Sequence, residues 1–372
     1  MTSLLNRRFR VFLPALALVL LLLPAGAAQA KKVQKGVQLV HNTPVIAQPG
    51  EIQRMQQGHV DLIRTTFDWL YIEPTQNGGF NFSETDKLMT AASAGRKIEV
   101  LPILASSPTW ISPKMPGDPP LGGFELGRWN NYVKALIARY GPKGSFWPAH
   151  PNLSFNPITA WQVWNEPNLK SFWTNQHPDA KEYAAFLKTT SSTIRSADNK
   201  AEVVLAGMPE REDAPRSMAD FLEDLYKVKG FTKSIDVVAM HPFAEDEKGI
   251  IGGIKRIRKI LDKHGDKKLP LWITEVGFAS TGPASPFTQN ENGQAKLLTK
   301  SFKAIDKEAK KSSVEKAVWY SWRDLDKQPP TNPGFNSWQT YTGLFTFSGK
   351  PKKSWKAYTK VLGGNAGSGS IP

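Results

Sequence analysis

The sequence predicts an α/β fold, a single (β/α)8 TIM barrel. Three observations carry that expectation. Short, near-continuously apolar runs recur eight times from about Gly36 onward. Amphipathic helical stretches lie between them. No Gly-rich loop follows the first run, since Val40 leads into His41-Asn42-Thr43, so the usual marker of an open doubly wound sheet is missing. Strands of a parallel sheet are covered on their outer face by helices, so they lose the in/out alternation of half-exposed strands.

The runs come in order. Val37–Val40 is the first and Val60–Arg64 the second. Ile98–Leu104, Thr159–Trp164, Val203–Ala206 and Ile235–Met240 follow. Leu269–Thr274 and Ala317–Ser321 are the last two. The clearest helix carries Trp129, Tyr132, Val133, Leu136, Ile137 and Tyr140, spaced as one helical face, and it stops at Gly141-Pro142. Met218, Phe221, Leu222, Leu225 and Tyr226 repeat the spacing, and Ile254, Ile257, Ile260 and Leu261 follow it more loosely. Ser83-x-x-Asp86 reads as a helix start and Thr288-x-x-Glu291 as a capping box. A last helix is expected around Trp355, Tyr358 and Leu362.

Domain organisation is simple on this reading. Residues 1–30 read as a secretory signal peptide. Arg7, Arg8 and Arg10 start it, Val11–Leu23 is apolar, and Ala28-Gln29-Ala30 supplies the small-residue cleavage site. An uncleaved anchor is the competing reading, because Val11–Ala30 approaches the roughly 20 residues of a membrane span. Pro14 and Pro24 favour cleavage, which leaves no stable membrane insertion and a secreted or envelope-associated chain. Residues 31–362 form the catalytic barrel. Residues 363–372 (GGNAGSGSIP) read as a flexible tail.

Composition excludes several functions. There is no Cys among 372 residues, which removes disulfides, thiolate–metal sites and cysteine nucleophiles. No two of the six His stand at i, i+4, so a local His metal motif is absent. Metal and cofactor are both expected to be none. The net charge is +15, and +12 without the first 30 residues. That charge favours anionic cell-envelope polymers or an acidic substrate. No nucleic-acid motif accompanies it, so nucleic acid is not an expected partner, and Lys255-Arg256-x-Arg258-Lys259 and Lys350-x-Lys352-Lys353 read as solvated faces. A monomer is expected.

Function in such a barrel gathers at the C-terminal ends of strands. The fourth run ends in Trp164-Asn165-Glu166-Pro167-Asn168 and the seventh in Thr274-Glu275-Val276-Gly277. Burying a carboxylate costs several kcal/mol unless it is paired. Two Glu facing across one barrel mouth suit glycosidic bond cleavage, with one acid protonated and the other ionised. Asn165 is suited to a sugar 2-hydroxyl. Arg64, after Val-Asp-Leu-Ile, is the candidate cation that keeps the nucleophile charged.

The stretch WQVWNEPNLKSFW (Trp161–Trp173) resembles the acid/base motif of retaining glycoside hydrolases of clan A. Within the clan it is most similar to the family 39 type, which includes β-xylosidases, α-L-iduronidases and some exopolysaccharide hydrolases. HVDLIRTTFDWLYIEP (His59–Pro74), GRKIEVLPILASSPTW (Gly95–Trp110) and LPLWITEVGF (Leu269–Phe278) look like the second, third and nucleophile strands. The stretch Val276–Ser280 after the nucleophile looks closer to family 5 or 17 usage. Carried over, the resemblance implies Glu166 as general acid/base, Glu275 as nucleophile, Asn165 on the 2-hydroxyl and Arg64 beside the nucleophile. It implies a retaining two-step reaction on a β-linked glycan or glycoside. One departure stands out. Met240-His241-Pro242-Phe243 replaces the His-x-Tyr of many members, so either His241, Arg64 or a Tyr from elsewhere replaces the tyrosine's contact to the nucleophile, or the nucleophile is tuned differently. Phe243 and the unusual surroundings of the nucleophile are also the support for an alternative, a carbohydrate-binding protein on an inactive barrel.

Sugars stack on aromatic rings, so strand-end Trp matter. Trp322 is expected to floor the central subsite, with Trp110, Trp69 and Trp173 as further candidates. His41, ending the first strand, could contact a hydroxyl. Loops 112–123 and 323–341, the latter with Phe335 and Trp338, are expected to shape the subsites.

Overall fold

The computed structural model describes residues 32–41, 46–112, 118–173, 177–210, 216–325 and 337–372. The expected signal peptide, residues 1–30, lies outside the described residues, and so does Phe335. Lys32–Pro372 forms one compact unit. Among the described residues, no helix is long and apolar enough to cross a membrane.

Eight strand–helix units follow one another: β1 Gln34–Gln38, α1 Pro49–Gln57, β2 Leu62–Asp68, α2 Ser83–Ser93, β3 Glu99–Ala105, α3 Gly123–Tyr140, β4 Ala160–Val163 and α4 Ala180–Ala197. The second half is β5 Glu202–Val204, α5 Met218–Tyr226, β6 Val238–Met240, α6 Glu247–Lys263, β7 Leu271–Val276, α7 Glu291–Ser312, β8 Val314–Trp319 and α8 Lys353–Leu362. Short helical turns occupy some of the loops. All strands pair parallel, in the order β5-β4-β3-β2-β1-β8-β7-β6. The remaining gap, β5 to β6, is spanned by the Val204–Val237 bridge and by Leu205 N donating to Val237 O at 2.9 Å. The predicted (β/α)8 barrel is therefore present.

Alternation along these strands sorts side chains into two cores. Leu62, Leu101, Ala160, Val204, Val237, Ala239, Trp272 and Val318 fill the barrel interior. Their neighbours, such as Ile63, Val100, Trp161, Ile273 and Trp319, face the helix layer. Trp129, Tyr132, Val133, Leu136, Ile137 and Tyr140 of α3 are buried in that layer, and Gly141 caps the helix as expected.

Two local readings are corrected and one holds. The helix after β7 starts at Asn290, whose side chain accepts from Gly293 N, while Thr288 bonds Ser285 and the Pro283 carbonyl. Asn reaches its own N3 amide and outcompetes the Thr288 box. Ser83 is the first residue of its helix, as expected, and Phe82 before it makes no side-chain cap bond. The expected loose tail is docked: Arg54 donates to the carbonyls of Ala366, Ser368 and Gly369, and Ile371 is buried and bonds Gly349 O at 2.9 Å. A Gly/Ser composition offers many bare carbonyls, and one guanidinium with five donors collects them.

Candidate active site

The site is built around Arg64. On β2, Leu62 belongs to the barrel interior and Thr66 lines the cleft, so Arg64 between them points inward too. It is wholly buried. A buried guanidinium is tolerable only if its donors are met. Nε donates to Gln162 Oε1 (2.7 Å), Nη1 to Gln38 Oε1 (2.7 Å) and Glu275 Oε1 (2.6 Å), and Nη2 to Asn165 Oδ1 (2.8 Å). Strands β1, β4 and β7 are thereby tied to one cation on β2. Burial lowers the Arg64 pKa, and the charges of Glu275 and Glu166 offset only part of that fall. Arg keeps its proton in proteins, so Glu275 faces a permanent positive charge. Asn165 gives its oxygen to Arg64, which leaves its amide N–H groups to donate into the cleft.

Two backbone irregularities aim the carboxylates. On β7, Trp272 faces the interior and Ile273 the helix layer. Strict alternation would send Glu275 outward with Ile273. The pairing with β8 shifts register between Ile273 and Val276, so Glu275 turns into the cleft and Val276 takes the outward place. Bulges at barrel rims re-aim side chains in this way. At the end of β4, Trp164 and Glu166 take left-handed backbone, with φ of 74° and 46°. For a bulky residue that conformation costs on the order of 1–3 kcal/mol and is held only by its surroundings. Here Trp164 N donates to Leu104 O (3.0 Å), Glu166 N to Gly207 O (2.9 Å), and the Trp164 indole to Phe172 O (2.8 Å).

His241 ends β6 between the two acids. Its Nδ1 lies 2.7 Å from Glu166 Oε1, and its Nε2 points toward Glu275 Oε1 at 3.6 Å, beyond hydrogen-bond range. Gly207 makes room for the ring, since a Cβ there would lie 2.1 Å from Nε2. Burial pushes the imidazole pKa down to about 3; Glu275 opposes the shift and Arg64 adds to it. His241 is therefore neutral where the unfolded chain, near 6.5, is not. Below pH 6.5 the unfolded state binds a proton that the folded state refuses. Unfolding free energy should then fall by about 1.4 kcal/mol per pH unit from this residue as pH drops toward 3. Urea titrations at pH 7 and pH 4 check it. His241→Asn should lack about 3 kcal/mol of the wild-type acid loss, and equal losses in both proteins would contradict a neutral His241.

The carboxylates meet in a cleft of about 390 Å³ that also exposes Gln38, Thr66, Asp118, Tyr320, Phe172 and Gln339. One oxygen of Glu166 and one of Glu275 lie within 4.8 Å of each other. Those oxygens and a nitrogen of His241 are close enough to share a metal ion. The guanidinium 2.6 Å from Glu275 already supplies the positive charge there, and a second cation beside it would be repelled.

Glu166, Glu275, Asn165, Arg64 and His241 thus come together. The expected aromatic floor does not. Trp322 is buried outside the barrel against Phe345 and Trp355, with its indole donating to Glu51 Oε1 at 3.1 Å. Alternation cannot be extended past Trp319, where β8 ends. Tyr320 lines the cleft instead, and burial followed by the charges of Glu275 and Glu166 pushes its phenol far above the usual range. The hydrogen bond to Glu275 comes from Arg64 at 2.6 Å, and Phe243 packs against Phe287, Trp338 and Tyr320.

Trp110 is turned away from the carboxylate cleft. Its indole donates to Glu73 O (2.8 Å) and its ring packs under Arg128 and edge-on to Trp69. Trp69 and Trp173 are fully buried. His41 lines a separate small cavity with Asp68 and Tyr71, its Nε2 3.2 Å from Thr66 O. Among the described residues, the exposed ring at the cleft is Phe172, a rim residue that the Trp-first reading passed over.

With this geometry in hand, comparison with known proteins adds the following. A family model described as the glycosyl hydrolase catalytic core matches residues 140–350. A second, described as beta-galactosidase, matches residues 46–120. Among solved structures, a family 39 glycoside hydrolase from Bacteroides cellulosilyticus WH2 is similar at 18% identity with a TM-score of 0.64, over 89% of this chain and 64% of that one. A monomeric beta-xylosidase from Caulobacter crescentus CB15 is similar at 20% identity and TM-score 0.64, over 88% of this chain and 67% of that one. A GH10 structure from Paenibacillus barcinonensis is similar at 14% identity and TM-score 0.59, over 91% and 97%. At such identities the likeness is one of fold. The chain spans less than two thirds of the length of the first of these.

Proposed function

The chain belongs to the glycosyl hydrolase catalytic core family, and from that premise we propose that it is a glycosidase that cleaves a β-linked glycan or glycoside with retention, using Glu275 as nucleophile and Glu166 as acid/base. The observation that carries this reading is the separation of the two carboxylates. Oxygens within 4.8 Å of each other suit the carboxyl spacing of roughly 5–5.5 Å found in retaining enzymes. Inversion needs about 6.5–9.5 Å, enough for a water between acid and sugar.

In the first step a Glu275 oxygen bonds to the anomeric carbon. The bond to the leaving oxygen breaks, and that oxygen takes the Glu166 proton. In the second step water attacks the anomeric carbon, gives a proton to Glu166, and releases Glu275 from its ester. Arg64 sets a permanent positive charge 2.6 Å from Glu275. His241 accepts a hydrogen bond from the Glu166 acid proton before the first step. A neutral imidazole has one donor and one acceptor nitrogen. With the hydrogen on Nε2, facing the Glu275 carboxylate, Nδ1 is left to accept the acid proton of Glu166 at 2.7 Å. The Asn165 amide donates to the sugar 2-hydroxyl, and Phe172 offers a face for a neighbouring sugar ring. Export through residues 1–30, action outside the cell and a monomeric state belong to the same proposal.

The test is the configuration of the first product. Proton NMR of hydrolysis of β-linked aryl glycosides and oligosaccharides should show the β-anomer first, before mutarotation. Early appearance of the α-anomer would sink the retaining assignment.

A further inference from the structure

The positive charge of this chain is not spread evenly. Helices α6, α7 and α8 hold fifteen Lys and Arg against five Asp and Glu, which is +10 of the chain's +15. The three helices are neighbours, since α7 packs against both α6 and α8. By contrast α5 carries three acids and no base. Two members of the basic runs leave this surface. Arg258 is buried on Asp262 and on the carbonyls of Leu269 and Asp266, and Lys352 is buried on Asp324, Ser280 and Tyr341 O, so neither reads as a solvated face. The rest of the flank is exposed.

Its acids are already matched. Glu247 pairs with Lys300, Glu308 with Lys255, Asp306 with Lys35 and Asp262 with Arg258, while Glu291 accepts from the Lys353 backbone. Exposed Lys296, Lys303, Lys307, Lys310, Lys311 and Lys356 have no ion-pair partner among the described residues. On α7 Lys303, Lys307 and Lys311 stand at i, i+4 intervals, where like charges repel within one helix. A sequence chosen only for stability would interleave acids there.

We infer that this flank is a docking surface for a polyanionic glycan, a polysaccharide carrying carboxylate or phosphate groups. The charge is lysine, a set of mobile point charges, which suits an irregular chain of anionic groups better than one bidentate ligand. No aromatic side chain is exposed on the three helices, so the stacking platforms of single-strand nucleic acid binders are missing. Each helix begins at the strand C-terminal face that carries the cleft and runs down the barrel side. With 22 residues, α7 gives a stripe of roughly 33 Å. A polymer held along it stays beside the cleft and raises the local concentration of cleavable bonds. The choice of a glycan rests on the glycosidase reading; the basic stripe does not.

The test is binding of the full protein to polygalacturonate, by affinity electrophoresis and calorimetry from about 20 to 500 mM NaCl, a range over which the Debye length falls from about 20 Å to about 4 Å. Dextran is the neutral control and duplex DNA the competing polyanion. Polygalacturonate should bind and dextran should not, with affinity falling steeply in salt. The triple variant Lys303→Glu, Lys307→Glu, Lys311→Glu should weaken binding about tenfold or more, with a shallower salt dependence. The triple Lys→Gln variant should fall between it and wild type. Both variants should hydrolyse a small neutral aryl glycoside at the wild-type rate, which shows that fold and cleft are intact. Equal binding by wild type and triple variants, or equal binding of dextran, overturns the proposal. Duplex DNA held more tightly than polygalacturonate at the same salt overturns the glycan assignment. Because binding is read apart from turnover, failure of the retaining mechanism would leave this result legible.

Discussion

Glu275→Gln is expected to lower kcat by about 10⁴–10⁶-fold on every substrate that the protein hydrolyses, with KM little changed. A residue that forms the covalent bond cannot be replaced by its amide, and such losses correspond to about 5–8 kcal/mol of barrier. Stability must be followed alongside. Removing one partner of a buried ion pair commonly costs about 3–5 kcal/mol. Here the amide oxygen of Gln can still accept from Arg64, and Gln38, Gln162 and Asn165 keep their bonds to it. So the Gln variant should melt close to wild type while Glu275→Ala melts lower. Glu275→Ala also opens space on the nucleophile's side of the sugar. Azide added with an activated aryl β-glycoside should enter there and yield the α-glycosyl azide. A Glu275→Gln protein with more than about one tenth of wild-type activity on its best substrate would remove Glu275 from the mechanism.

The barrel was legible because parallel strands sheathed by helices are apolar on both faces, as Val203–Ala206 and Leu269–Thr274 show. The carboxylates were legible for a related reason: an acid at the end of an apolar run has nowhere to go but the barrel mouth. Their aiming was not legible. Glu275 owes its direction to a register shift against β8, and Glu166 to left-handed backbone at Trp164 and at its own position. Neither is written in residue type, since no Gly marks either place. Gln38 and Gln162 were missed although a signal existed. Gln162 is two residues from the inward-facing Ala160, so a polar side chain there had to answer another buried polar group.

The aromatic error has a different origin. Near β8 the sequence Trp319-Tyr320-Ser321-Trp322 offers three rings, and size favoured Trp322. Exposure decides stacking, though, and the outer layer needed a large ring against Phe345 and Trp355. Tyr320 was left to line the cleft. The tail misled in the same way. Composition described its freedom, and one residue far away in sequence, Arg54, removed it.

Glu166→Gln should separate the two chemical steps, and its effect should depend on the leaving group. A dinitrophenolate leaves without a proton, so kcat/KM for that aryl glycoside should fall by less than about tenfold. An alkyl glycoside or an oligosaccharide needs the proton, and its kcat/KM should fall by about 10²–10⁴, the usual worth of general acid catalysis. The second step loses its base for every substrate. The dinitrophenyl glycoside should therefore give a burst of one phenolate per active site and then slow turnover, as glycosyl-Glu275 accumulates. The alkaline limb of kcat/KM for unactivated substrates, which reports loss of the acid proton, should vanish with it. Azide needs no base, so it should restore turnover and give the β-glycosyl azide, of opposite configuration to the Glu275→Ala product. His241 shares this assignment through its 2.7 Å contact, and His241→Asn should lower kcat/KM for alkyl glycosides more than for the dinitrophenyl substrate. If Glu166→Gln slows activated and unactivated substrates equally, the proton comes from another group, and Asp118 on the cleft wall is the next to replace.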